Sequence, residues 1–252
     1  MTGVDIVVHA AAMKQVPACE YNPIEAVKSN IDGATNIIEA AIDNRVRKVL
    51  ALSTDKAVSP TNLYGATKLV AEKLFVQGNS YSGAGGTRFS CTRYGNVLGS
   101  RGSVVPLFFK QKETGVVTVT DERMTRFWLT LDQGVQFVRR CLDIMCGGEV
   151  FVPKIASMKL IDLAMALAPD CRIDVVGIRP GEKLHEVLIS RDESMHTQEM
   201  DDLYVIEPVF PWWTDQRPQF GPPMEPGTKF SSDANERWLS AEEIVELLEE
   251  KG

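Results

Sequence analysis

Tyr64 and Lys68 stand four residues apart in a stretch whose pattern predicts a helix, so both side chains lie on one face, a turn apart. A tyrosine hydroxyl, with a reference pKa near ~10, is a poor base at neutral pH. A lysine ammonium held beside it favours the phenolate and lowers that value. Together they make a general base able to take a hydroxyl proton while hydride leaves the same carbon. On spacing alone, a Tyr-x-x-x-Lys pair is usually a solvated helix face. The residues just upstream change the weight. Ser53-Thr54-Asp55-Lys56-Ala57 follows a short apolar run and precedes the helix directly. That is the crevice at the carboxyl ends of strands where open α/β sheets bind ligands.

The elements that must position these residues follow from pattern. Val4 to His9 and Lys48 to Ser53 read as buried strands, the second of the continuous apolar kind found in parallel sheets. Between them, Asn22-Pro23-Ile24-Glu25 predicts a capped helix start, with Ile24, Val27, Ile31, Ala34 and Ile38 at helical spacing. A second helix starts after Ser59-Pro60-Thr61-Asn62 and is expected to stop at Gly78, followed by a strand from Phe89 to Tyr94. This alternation predicts a parallel sheet with right-handed crossovers. Beyond Gly95, helices over 104–114, 131–146 and 159–168 alternate with strands over 116–119, 149–152 and 172–176. Residues 206–236, with Trp212 and Trp213, read as irregular, and Ser240-Ala241-Glu242-Glu243 opens a terminal helix with a capping box.

With those elements placed, Tyr64-Gly65-Ala66-Thr67-Lys68 preceded by Ser53-Thr54 resembles the extended short-chain dehydrogenases/reductases that act on nucleotide sugars. Asp55, Lys56, Pro60 and Asn62 narrow the resemblance to the inverting UDP-N-acetylglucosamine 4,6-dehydratases of polysaccharide and pseudaminic acid biosynthesis. Three further segments agree: His9 to Pro17, Arg93 to Val104, and Arg179-Pro180-Gly181-Glu182-Lys183. The resemblance implies an α/β, Rossmann-like doubly wound parallel sheet with a smaller α/β C-terminal substrate domain. It implies Tyr64 as base at the sugar 4-hydroxyl, Lys68 as its ribose-holding partner, Lys56 as base at C5 and Asp55 as acid at the departing 6-hydroxyl. Ala10, Lys14, Leu52, Ser53, Tyr64, Lys68, Val97 and Arg101 would line the cofactor, NADP in preference to NAD. Lys56, Tyr64, Asn96, Arg126, Arg179 and Glu182 would meet the UDP-sugar, the two arginines at its diphosphate. Asn30 would organise the active-site helix, with an ordinary solvated asparagine as the alternative.

By the same resemblance, residues 1–98 are the remaining part of the cofactor domain, with 131–152 returning to it, and 99–130 and 153–252 form the substrate-binding region. No glycine-rich strand–turn–helix fingerprint is present, Gly83-Ala84-Gly85-Gly86 lying after a helix and before a strand. The expectation is that about three strand–helix units precede Val4 in the complete enzyme, and that a chain without them exposes apolar sheet edges.

Composition narrows the remaining classes. The 252 residues include 27 basic and 34 acidic side chains, a formal net charge of −7, which argues against non-specific nucleic-acid binding. No apolar run reaches the ~20 residues that span a bilayer. Five scattered cysteines predict reduced thiols in the cytoplasm and no metal site. A symmetric homo-oligomer is expected by resemblance. Two alternatives stay open: a sugar-nucleotide 4-epimerase of the same fold, and a catalytically silent sugar-nucleotide-binding remnant.

Overall fold

In a computed structural model that describes residues 1–210 and 218–249, helices α1 to α8 span Val16–Tyr21, Pro23–Val27, Gly33–Asp43, Leu63–Ser82, Val104–Lys112, Leu131–Ile144, Leu160–Leu167 and Ala241–Glu249. Strands β1 to β5 span Ile6–His9, Lys48–Leu52, Arg88–Thr92, Asn96–Val97 and Val116–Val119. Strands β6 to β9 span Thr125–Leu129, Val150–Pro153, Ala156–Lys159 and Arg172–Val175. Strands β10 to β13 span Val187–Ile189, Thr197–Glu199, Leu203–Ile206 and Phe230–Ser231. Trp212 and Trp213 lie outside the described residues.

The chain divides into two units. The first comprises residues 1–94, 136–154 and 188–229, and the second 95–135, 155–187 and 230–252. The first unit holds a six-stranded sheet ordered β1-β2-β3-β7-β12-β11. Its first four strands are parallel, as the strand–helix alternation requires, and β12 and β11 add antiparallel at the far edge. Residues 188–229 therefore belong with the first unit, not with the second region where they were expected. The reason is hydrogen bonding: Leu203–Ile206 completes the free edge of β7, and Leu203 and Val205 bury against Phe151 and Leu50. At the opposite edge, Ile6 and Val8 of β1 are 50% and 43% exposed.

Helix boundaries depart from expectation where tertiary contacts decide. Gly78 does not stop α4. A Cβ there would come within 3.1 Å of Phe89 and 3.3 Å of Ile38, so this glycine allows close packing of helix on sheet, and α4 runs on to Gly83 at φ +73°. The Asn22 side chain makes no N-cap bond and donates instead to the Ala18 carbonyl of α1, a helix the pattern did not show. Between α2 and α3 the backbone passes through a π-helical turn, Lys28–Asp32. The terminal capping box forms as expected, Glu243 N donating to Ser240 Oγ and Ser240 N to Glu243 Oε2.

The second unit is built on a small sheet in which β6 pairs parallel with β4 and antiparallel with β8. A separate parallel pair joins β5 to β9. Phe108, Val117, Val119, Met124, Trp128, Met158, Leu163 and Ile244 pack as its core. Among the described residues, no helix is long and apolar enough to cross a membrane and no His/Cys/Asp/Glu cluster could hold a metal ion.

Candidate active site

Strand β2 ends at Leu52, and the next two residues continue as extended backbone tied to β3, Ser53 N donating to Thr92 O at 2.6 Å. The chain then tightens into a 3₁₀ turn, Asp55–Ala57, anchored by Asp55 N donating to Tyr94 O. Ser59 takes a left-handed backbone at φ +45°, turning the chain so that Asn62 can cap α4 through its side chain, which accepts from Gly65 N at 2.8 Å. The first turn of α4 is thereby pressed against the 3₁₀ turn. A Cβ on Gly65 would lie 2.2 Å from the Lys56 carbonyl oxygen. Only glycine permits this approach, which brings Tyr64 beside Asp55 and Lys56. Gly65→Ala is expected to push the two turns apart and lower kcat by about 10²-fold. Steady-state kinetics with circular dichroism as a folding control checks this, and near-normal kcat in a folded variant would contradict it.

Asp55 is fully buried. Its Oδ1 accepts from Thr54 Oγ1 and from Lys56 Nζ, both at 2.9 Å, while Oδ2 has no hydrogen-bond partner. The Lys56 side chain is 26% exposed. Burial pushes the Tyr64 hydroxyl up to about 12, with the Lys56 ammonium and a hydrogen bond with Thr54 working against it. Lys68, the cation expected to favour the phenolate, turns toward β2 and donates to the Leu52 carbonyl at 2.6 Å. Thr54, not among the expected catalytic residues, links the tyrosine and the aspartate. Its place between Ser53 and Asp55 was the only sequence signal.

Asn30 is buried and organises this face, as one of its two readings held. Its amide nitrogen donates to Met13 O and to Thr67 Oγ1, both at 2.9 Å, and its oxygen accepts from Met13 N at 2.8 Å. It thus ties α4 to the segment that carries Ala10 and Lys14, both exposed. π-Helical turns are frequent at functional sites, and here the turn places Asn30 inward.

Below Lys68, the same helix face carries Glu72, two turns from Tyr64. Glu72 meets Arg93 at the end of β3, and Arg93 also meets Glu193. Burial alone would raise the Glu193 carboxyl, yet the Arg93 guanidinium and the Ser190 donors hold it below the ordinary glutamate range. A carboxyl depressed in the folded state contributes stability above its unfolded pKa and loses it as pH falls through the depressed value. Acid unfolding of the wild-type chain should therefore include a Glu193 component below the usual glutamate range. In Glu193→Gln that component disappears from pH-dependent denaturation curves. Identical pH dependence in both proteins would contradict it.

The second unit carries the remaining candidates. Asn96 and Val97 form β4 and are half-buried, and Arg101 is exposed in the turn that follows. Arg179 is exposed and faces Glu182 at 3.9 Å, across a turn closed by Glu182 N donating to Arg179 O. Arg126 is turned inward. Its guanidinium donates to the carbonyls of Thr125, Lys183 and Leu184 and faces Glu186 at 3.8 Å, so the structure shows it tying β6 to residues 183–186.

Comparison with known proteins gives four findings. The family described as polysaccharide biosynthesis protein matches residues 1–208. An inverting UDP-N-acetylglucosamine 4,6-dehydratase of Campylobacter jejuni is 51% identical over 98% of this chain and 77% of its own length. A UDP-glucose 4-epimerase of Rickettsia conorii is 44% identical over 82% of this chain and 62% of its length. Among solved structures, Pen from Bacillus thuringiensis superposes with a TM-score of 0.88 at 39% identity, covering 99% of this chain and 77% of that one.

Proposed function

Because the chain belongs to the polysaccharide biosynthesis protein family, we propose that its site performs the C5-inverting 4,6-dehydration of UDP-N-acetylglucosamine. The observation that carries this reading is the Asp55–Lys56 pair just beyond the end of β2, its carboxylate fully buried, on the turn pressed against the first turn of α4 that carries Tyr64. The reaction needs an acid and a base of opposite proton state from two adjacent residues. As drawn by the 2.9 Å contact, the pair is a carboxylate and an ammonium. One proton shift from Lys56 Nζ to Asp55 yields both catalytic forms, a neutral amine and a carboxylic acid.

Tyr64 takes the proton of the sugar 4-hydroxyl as C4 is oxidised. The resulting 4-ketone acidifies the C5 proton, which the Lys56 amine removes. Asp55 protonates the departing 6-hydroxyl, which leaves as water. Reprotonation of C5 from the opposite face inverts that centre. When bound, a nicotinamide cofactor, NADP in preference to NAD, supplies the hydride acceptance and return between C4 and C6. The residues present fit the ribose end of such a group: the buried Ser53 hydroxyl has no hydrogen-bond partner, and Lys68 has three ammonium donors of which Leu52 O takes one. Ala10, Lys14 and Leu52 of the first unit would border it. Asn96, Arg179 and Glu182 would meet the UDP-sugar, with Arg126 acting behind them. All five cysteines are free, in keeping with a cytoplasmic setting, and the chain would act as a homo-oligomer.

The 44% identity to a UDP-glucose 4-epimerase keeps a second reading of the same fold in view. Mass spectrometry of UDP-N-acetylglucosamine incubated with the chain and NADP separates them. Loss of one water supports the dehydratase. A product of unchanged mass with inverted C4 would replace it with the epimerase.

A further inference from the structure

The buried charges behind Lys68 have no part in the chemistry above, yet they form a closed set. Arg93 is 1% exposed, and its guanidinium has five N–H donors, all of them used. Nε and Nη2 donate to the two Glu72 oxygens at 3.2 and 2.6 Å. Nη1 and Nη2 donate to the two Glu193 oxygens at 3.1 and 2.9 Å, and Nη1 also donates to Leu188 O at 2.9 Å. Both carboxylates are thus held bidentately, the strongest geometry available to such pairs. Glu72 follows Lys68 by four residues on α4, so its charge lies one turn from the ammonium. Counting Lys68 and Arg93 against Glu72 and Glu193, two positive charges balance two negative ones. Glu193 is the only member that comes from the segment after β10, where Ser190 N and Oγ fix its Oε2, both at 2.9 Å.

We propose, resting on the dehydratase reading, that Glu193 is a positioning residue that keeps Lys68 an ammonium: by occupying Arg93 it leaves the Glu72 charge available to Lys68. Without the Glu193 charge, Arg93 draws on Glu72 alone and the buried set carries a net positive charge. Lys68, itself buried, then loses its proton more readily. Burial already pushes Lys68 down, and the Glu72 charge opposes it. The other titratable groups around Lys68 do not supply the missing charge. The Cys91 thiol on β3 is pushed far up by burial and stays neutral, and His9 on β1 is pushed down by burial and by Lys68 itself. Tyr64, one turn toward the N-terminus, is held protonated by burial.

The test is a pH titration of the chain labelled with ε-¹³C-lysine, following the Lys68 resonance assigned by its loss in Lys68→Arg. Glu193→Gln is expected to move the Lys68 midpoint to lower pH by about half a unit or more. Glu193→Asp, which keeps the charge, is expected to leave it near the wild-type position. The alkaline limb of the kcat profile should move with the resonance. An unmoved midpoint in Glu193→Gln, or an equal shift in Glu193→Asp, would overturn the proposal. If Glu193→Gln does not fold, Ser190→Ala removes one anchor of the carboxylate and should give a smaller shift in the same direction, its absence overturning the proposal equally. Because the titration needs no turnover, its outcome is separate from that of the dehydratase reading.

Discussion

Replacing Lys56 with Gln is expected to lower kcat for water loss by about 10²- to 10⁴-fold, the usual contribution of a positioned acid–base group. The structure gives the reason. Lys56 is the partly exposed member of the pair, with Nζ 2.9 Å from Asp55 Oδ1. Glutamine is about one bond shorter than lysine but keeps an N–H donor for Asp55, so the fold should survive and C4 oxidation by Tyr64, though slowed, should still proceed. A single-turnover experiment with added NADP should therefore show reduced cofactor that forms and then persists. Solvent deuterium should fail to enter the sugar at C5. Rapid water loss by this variant would remove Lys56 from the chemistry.

Tyr64→Phe is expected to cost a similar ~10²- to 10⁴-fold in kcat, at an earlier point. Phenylalanine fills the same buried space against Cys19 and Ala26 but offers no oxygen to accept the 4-hydroxyl proton. No reduced cofactor should form in a single turnover, in contrast to Lys56→Gln. The contrast between the two variants is more informative than either loss. If both stalled with reduced cofactor present, Tyr64 would not be the base for the first step. The Tyr64 hydroxyl is pushed up to about 12 by burial, and the Lys56 ammonium is the main charge opposing it. Lys56→Gln should therefore also raise the Tyr64 titration further, which ¹³C-tyrosine spectra at high pH would register.

Much of the site could be read before any coordinates. Ser53 to Asp55 lie at the end of β2 and Tyr64 and Lys68 share a face of α4, because strand ends and helical spacing are local properties of the chain. What stayed hidden depends on distant partners. Lys68 was expected to act on Tyr64 from four residues away, but the bond of its long side chain to Leu52 O could not be read, nor that Lys56 from the preceding turn also acts on the Tyr64 hydroxyl. Gly78 has the composition of a helix stop, and only the approach of Phe89 and Ile38 reveals it as a packing site. Arg126 has the chemistry of a phosphate ligand, yet carbonyls from residues 183 and 184 occupy it. The return of 188–229 to the first sheet could not be read from local pattern, since β12 is selected by the free edge of β7. Glu193 arrives with that return, as does its contact with Arg93 a hundred residues away.

The most direct measurement is the NMR structure of the sugar product formed from UDP-N-acetylglucosamine in D₂O with NADP. The expected product is a 4-keto-6-deoxy sugar carrying deuterium at C5 with that centre inverted. A 6-deoxy product with C5 retained would contradict the roles given to Lys56 and Asp55, and a product with O6 intact and C4 inverted would contradict dehydration itself.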